Sequence, residues 1–86
     1  MIELVRGGDE ARDVSTRRLD LRGLPPPEPL TMALAAAENL APGEAIRIVT
    51  ERRPVHLLPI LTERGFRIDG WPLPDGGHET VVRRPR

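Results

Sequence analysis

The stretch LDLRGLPPPEPLTMALAAAENL, residues 19–40, determines the fold because a strand, a rigid turn and a helix follow one another within it. Leu19 and Leu21 alternate with charged residues, which is the period-two pattern of a half-buried strand. From Leu30 onward, apolar residues recur at intervals of three and four among alanines, as expected of a helix packed on a core. The prolines stiffen the turn, and Pro29 suits the first helical position because its missing N–H would be unpaired there.

Similar patterns predict the remaining elements. The alternating segment AIRIVT, residues 45–50, predicts a second strand. VHLLPILTERG, residues 55–65, predicts a second helix that becomes regular only after His56, because an interior proline disturbs its first turn. FRIDGW at 66–71 and HETVVRR at 78–84 flank the turn cluster PLPDGG, so they should pair as a β-hairpin.

The order βαβαββ predicts an α/β two-layer sandwich, with a mixed four-stranded sheet and both helices on one face, because parallel βαβ crossovers are right-handed. This domain should span residues 16–86, and residues 1–15 should form a flexible N-terminal arm or an edge strand. The residues expected to face the helices are Leu19, Leu21, Ile46, Ile48, Phe66 and Ile68. The opposite face, called the open face below, should be polar and left to solvent or to a partner.

Composition excludes several classes of function. The 86-residue chain has no cysteine, so disulfides, thiolate metal ligands, cysteine nucleophiles and persulfide carriage are all excluded. Its formal net charge is zero. The first residues lack the pattern of a signal peptide, and no apolar run is long enough to span a membrane. A cytoplasmic protein without a membrane segment is therefore expected.

The motif LDLRGLPPPEP, residues 19–29, resembles the signature of the TusA-like (SirA-like) sulfur carriers, Leu-Asp-x-Arg-Gly-Leu-x-Cys-Pro-x-Pro. The matching positions include Asp20, Arg22, Gly23, Pro27 and Pro29. Pro26 stands where the family has its persulfide-carrying cysteine. With RPVHLLPIL and RGF further along the chain, the motif resembles more closely a cysteine-less sister family of unknown function.

The resemblance covers residues 19–84 and implies the same βαβαββ sandwich, without sulfurtransferase chemistry. Members of the sister family occur beside, or fused to, hemerythrin-like and other redox proteins. The resemblance therefore implies a noncatalytic accessory or interaction role with a redox-related protein partner.

Charged residues alternate onto the predicted open face around the single tryptophan of the chain. The candidate docking residues are Arg18, Arg22, Arg47, Arg67 and Trp71. An aromatic ring among guanidinium groups is typical of a protein or nucleotide docking site. The alternative is a solvated face, on which Asp20 and Arg22 form only a cross-strand charge pair.

His56, at the entrance to the second helix, matches a motif position of the sister family and is the candidate ligand-binding residue. Its structural alternative is a side chain that hydrogen-bonds the backbone at the helix start. The spacing of His56 and His78 matches no metal-binding motif, so no metal or other cofactor is predicted.

The sequence therefore predicts a noncatalytic accessory or protein-interaction module. The alternative is an RNA- or anion-binding domain that uses the arginine-rich open face. The neutral charge of the chain and its single Trp and single Phe disfavour nucleic acid, because RNA-binding domains are usually basic and stack bases on several aromatic rings.

Overall fold

The computed structural model describes residues 16–86, and the arm or edge strand expected over residues 1–15 lies outside them. The elements are β1 (Arg17–Asp20), α1 (Glu28–Glu38), β2 (Ala45–Thr50), α2 (Leu57–Glu63), β3 (Arg67–Pro72) and β4 (His78–Arg83). This order confirms the predicted βαβαββ sandwich. Within the described residues, neither helix has the length and apolar character needed to cross a membrane.

The sheet has the strand order β1-β2-β4-β3. Strands β1 and β2 are parallel, whereas β4 is antiparallel to both β2 and β3, which confirms the predicted hairpin. Strands β1, β2 and β3 therefore run in the same direction. They end at one edge of the sheet, called the carboxyl edge below, where both helices begin. At the opposite edge, called the amino edge, these three strands begin and β4 ends.

The core lies between the sheet and the helices. Its buried members are Leu21, Ala33, Ala36, Ala37, Leu40, Ile46, Ile48, Leu57, Leu61, Phe66 and Val82. Leu19 and Ile68 are partly buried and pack against them, so each residue predicted to face the helices does so. The small alanine side chains of α1 allow its backbone to approach the sheet closely.

The helix boundaries differ slightly from the prediction. Helix α1 begins at Glu28 after Pro27 as N-cap, so Pro29 occupies the second helical position rather than the first. The N–H groups of the first helical turn have no acceptor within the helix, so proline, which lacks an N–H, is tolerated at either position. Helix α2 begins directly after His56, as predicted, and its Pro59 also lies in the first turn.

The open face is not left entirely to solvent, contrary to the prediction. The strand register brings Asp20, Val49, Glu79 and Trp71 into one row across this face. Val49 is 0% exposed and Glu79 is 6% exposed. Val49 lies on β2 and Glu79 on β4, the two central strands of the sheet.

Candidate functional site

At the carboxyl edge, Arg22 is held between two carboxylates. Its Nε and Nη2 donate to the two oxygens of Asp20 at 2.9 and 2.7 Å, and its Nη1 donates to Oδ2 of Asp75 at 2.7 Å. Asp75 lies in the turn between β3 and β4, so the Arg22 side chain crosses the end of β2 to reach it. Arg22 therefore links the exit of β1 to the far hairpin.

Backbone groups complete this arrangement. The Gly23 N–H donates to Oε2 of Glu51 at 2.7 Å, and the Gly77 N–H donates to Oδ1 of Asp75 at 3.0 Å. A Cβ atom on Gly77 would lie 3.1 Å from the carbonyl oxygen of Thr50, so the hairpin turn packs closely against the end of β2. We call the whole set the carboxyl-edge network, and it comprises Asp20, Arg22, Gly23, Glu51, Asp75 and Gly77.

Hydrogen bonds within the network favour the ionised forms of Asp20 and Asp75. The side-chain and backbone hydrogen bonds from Arg22 lower the pKa of Asp20 to about 2. The Gly77 N–H, followed by Arg22, lowers the pKa of Asp75 as well, and the two carboxylates raise the pKa of Arg22. A general acid or base works best with a pKa near the operating pH. Asp20 is therefore an ion-pair partner and is unsuited to proton transfer at neutral pH.

The proline turn offers few hydrogen-bond donors. Of residues 25–30, only Glu28 and Leu30 have a backbone N–H, because the other four are prolines. The Glu28 N–H already donates to the Pro25 carbonyl oxygen at 2.9 Å. Pro26, which replaces the carrier cysteine, is exposed and is joined to Pro27 by a cis peptide bond. This turn therefore lacks both a thiol and most of the N–H groups with which a helix start binds an anion.

On the open face, two arginines share one buried carboxylate. Nε of Arg18 lies 4.0 Å, and Nη1 of Arg47 lies 3.7 Å, from the carboxylate oxygens of Glu79. These separations are too long for hydrogen bonds, and Nε of Arg47 is buried without any hydrogen-bond partner. Trp71 pairs with Glu79 across β3 and β4 and is 41% exposed.

The open face brings together four of the five candidate docking residues. Arg67 and Trp71 lie four residues apart on β3 and point to the same side as Arg18 and Arg47. Arg22 belongs instead to the carboxyl-edge network, where it pairs with Asp20 two residues away rather than across strands.

The two histidines have separate environments. His56 is the exposed N-cap of α2 and makes no capping hydrogen bond with its side chain, so the backbone contact considered from the sequence is not formed. His78 is buried at the start of β4, with Nδ1 lying 3.4 Å from Oγ1 of Thr80. Among residues 16–86, no three His, Cys, Asp or Glu side chains are grouped so that they could hold a metal ion.

Sequence reasoning did not find the roles of Asp75 and Glu79. Asp75 stands in PLPDGG, a turn signal that gives no indication of a partner 53 residues away. Glu79 lies in a strand whose alternation places it on the open face, but its burial follows from the central position of β4 in the sheet.

The fold is similar to that of a solved structure, the SirA-like protein from Desulfitobacterium hafniense. The TM-score is 0.69, with 17% sequence identity over 83% of this chain and 100% of that chain. At this identity, the similarity concerns the fold alone. No curated protein matches the sequence.

The sequence also matches the profile of a family described as uncharacterized conserved protein, DUF2249, over residues 18–84. The predicted SirA-like fold is thus confirmed, the sequence contains no cysteine, and the match is to a family of unknown function. Since the match covers most of the 86 residues, this chain belongs to the DUF2249 family of uncharacterized conserved proteins.

Proposed function

We propose that this protein is a noncatalytic interaction module that binds a partner protein through the open face around Trp71. The observation that carries the proposal is the 41% exposure of the Trp71 side chain on a face rich in arginine. Tryptophan and arginine are the residues that most often dominate the energy of protein interfaces. A partner would bury the ring and the apolar parts of the neighbouring arginine side chains.

A noncatalytic role is supported at the carboxyl edge, where the chemistry of the sulfur carriers would take place. The chain has no thiol, and Pro26 also removes a backbone donor from the start of α1. Asp20 and Asp75 are both ion-paired with Arg22. These ion pairs stabilise the edge, and neither aspartate is poised for proton transfer.

The charges of the open face favour an acidic partner. Arg18 and Arg47 together have one carboxylate, that of Glu79, and Arg67 has no ion pair within residues 16–86. Asp69 also lies on this face, so an approaching surface meets three arginines and two carboxylates, a small excess of positive charge. We propose a partner with acidic residues around an apolar depression that accepts the indole ring. The resemblance to the sister family supports a redox-related protein in the cytoplasm as this partner.

RNA or anion binding on the same face, the alternative considered from the sequence, has less support. The guanidinium of Arg22 is occupied by Asp20 and Asp75, and Trp71 has no second exposed aromatic ring beside it for base stacking. A gel-shift titration with single-stranded RNA at increasing salt separates the two functions. Binding that falls steeply with ionic strength would favour the RNA alternative.

Affinity capture with a matched pair of variants tests the proposal. The tagged wild-type protein, Trp71→Ala and Val55→Ala would each be used to capture proteins from the native cell extract. Val55 is the matched control because it is 54% exposed and lies outside the sheet, just before α2. The wild type and Val55→Ala should retain the same partner, and Trp71→Ala should lose it. Retention by Trp71→Ala would contradict the proposal.

Once that partner is purified, the fluorescence of the single tryptophan can be used to measure binding directly. All tryptophan fluorescence of this chain comes from Trp71, on the open face. Binding should shift its emission to shorter wavelengths and reduce its quenching by acrylamide, because the ring leaves water. With a partner that contains no tryptophan, unchanged emission at saturation would show that the partner binds elsewhere.

A further inference from the structure

We infer a second binding site, for oligophosphate anions, at the amino edge of the sheet. A cavity of about 370 Å³ opens there, where β3 begins and β4 ends. Its described lining consists of Gly43, Arg67, Arg83, Arg84, Pro85 and Arg86. We call it the amino-edge pocket. Its lining therefore contains four arginines, of which Arg67 and Arg83 lie side by side across β3 and β4, and none of the described lining residues has an acidic side chain.

The positive charge of this pocket is not neutralised within the described part of the chain. The ion pairs of residues 16–86 involve Arg18, Arg22, Arg47 and Arg64, and none of the four pocket arginines. The acidic side chains of the carboxyl-edge network lie at the far end of the strands, whereas Glu44, which follows Gly43 at the amino edge, accepts a hydrogen bond from the Ala41 N–H and forms no ion pair with the four arginines. This arrangement of charge attracts anions to one end of the molecule.

Backbone hydrogen bonds hold the floor of the pocket in place. The Gly43 N–H donates to the carbonyl oxygen of Arg84 at 2.7 Å, and the Arg84 N–H donates to that of Glu44 at 2.9 Å. Nη1 of Arg83 donates to the Gly43 carbonyl oxygen at 3.0 Å. A Cβ atom on Gly43 would lie 3.3 Å from Nε of Arg86, so glycine allows that side chain to lie close against the backbone.

Arg84 is positioned by groups other than an acid. Its guanidinium carbon lies 5.1 Å from the centre of the Phe66 ring, and its Nη2 donates to the carbonyl oxygen of Glu38 at 3.3 Å. Its Nε is buried and has no hydrogen-bond partner. Arg84 is thus ordered by packing and retains its full charge, which favours binding of an anion without a large loss of side-chain entropy.

The chemistry of the lining favours phosphate. Guanidinium groups bind phosphate oxygens in pairs, and the neighbouring Arg67 and Arg83, with two further arginines in the lining, favour a ligand with dense negative charge. None of the described lining residues is aromatic, so the pocket has no stacking surface for a nucleobase. We therefore assign the pocket to a small oligophosphate, such as pyrophosphate or the polyphosphate part of a larger metabolite.

Pyrophosphate titration of the full chain tests this site, using calorimetry and amide chemical shifts. The test variant is Arg67→Ala combined with Arg86→Ala, because neither side chain has a hydrogen bond or ion pair among the described residues. The control is Arg52→Ala combined with Arg53→Ala. It removes the same charge from exposed residues just after β2, at the opposite edge.

Pyrophosphate should shift the amide signals of Gly43, Arg83, Arg84 and Arg86, and its affinity should fall as salt is raised. The test variant should lose at least about tenfold in affinity, because charged hydrogen bonds are removed, whereas the control should change by less than about twofold. Trp71→Ala should bind pyrophosphate like the wild type, which separates this site from the proposed protein interface. Equal losses in the test and control variants would overturn the site. So would the absence of pyrophosphate binding, or binding of a short oligonucleotide without pyrophosphate binding.

Discussion

The carboxyl edge and the open face contain the same kinds of side chain but use them differently. At the carboxyl edge, Arg22 donates three hydrogen bonds of 2.7 to 2.9 Å to two carboxylates. On the open face, Arg18 and Arg47 approach Glu79 only to 4.0 and 3.7 Å, beside an exposed Trp71. At the carboxyl edge the charged groups are therefore hydrogen-bonded to one another. The open face, in contrast, retains guanidinium donors without hydrogen-bond partners and exposed apolar surface. Charge composition alone does not reveal this distinction.

The largest expected difference between the two regions is in stability. Leu21, at the carboxyl edge, is 2% exposed, so Leu21→Ala should lower the free energy of unfolding by about 2 to 5 kcal/mol. Trp71→Ala deletes a larger side chain from the open face but should lower it by only about 1 kcal/mol, because the ring is partly solvated. Urea unfolding followed by circular dichroism measures both values. If the two variants lost equal unfolding free energy, Trp71 would be a structural residue, and the two regions would not differ in their contribution to stability.

A second effect concerns the backbone of the carboxyl edge. Gly23 has a φ of +86°, and a Cβ atom there would meet nothing within 4 Å. Gly23→Ala should therefore cost about 1 to 2 kcal/mol of unfolding free energy from backbone strain alone. Gly23→Asn is the matched control and should cost less, because asparagine tolerates the left-handed region better. If both variants unfold at the wild-type urea concentration, the turn is not constrained as described.

A third effect depends on pH. Hydrogen bonds from Arg22 lower the pKa of Asp20 from 3.8 to about 2, so the folded state binds the Asp20 proton less readily than the unfolded state does. The resulting stabilisation is fully present above about pH 4 and is lost as the pH falls through about 2. Arg22→Gln should therefore be less stable than the wild type at neutral pH, and the two should converge between pH 4 and pH 2. A difference in melting temperature that stays constant over that range would contradict the role given to Arg22.

The smallest effects are expected from the arginines of the open face. Arg67→Ala should change the unfolding free energy by less than about 0.5 kcal/mol, because its side chain has no ion pair within the described residues. Arg47→Ala should cost more, up to about 1 kcal/mol, because the buried Glu79 would keep only the more distant Arg18. Chemical unfolding of both variants measures the difference. If Arg67→Ala proves the more destabilising, the description of this face is wrong.

Local periodicity was sufficient to predict the element order and the core, because alternating Leu19 and Leu21 and the spaced apolar residues of α1 carry that information themselves. The contact between Arg22 and Asp75 could not be predicted, since it requires the strand order that brings the β3–β4 turn close to the end of β1. The burial of Val49 and Glu79 depends on the same order.

Only part of the amino-edge pocket could be recognised from the sequence. The cluster RRPR at residues 83–86 was present, but Arg67 joins it through the pairing of β3 with β4. The absence of ion pairs around these four arginines depends on the placement of every carboxylate in the described part of the fold. Sequence patterns do not contain that information.

Photo-crosslinking in the native cell extract tests most directly whether recognition takes place on the open face rather than at the proline turn. A benzophenone amino acid would be placed at position 71 in one sample and at position 26, which is also exposed, in another. We expect a defined adduct with one partner protein from position 71 and none from position 26. An adduct from position 26, with none from position 71, would contradict this prediction.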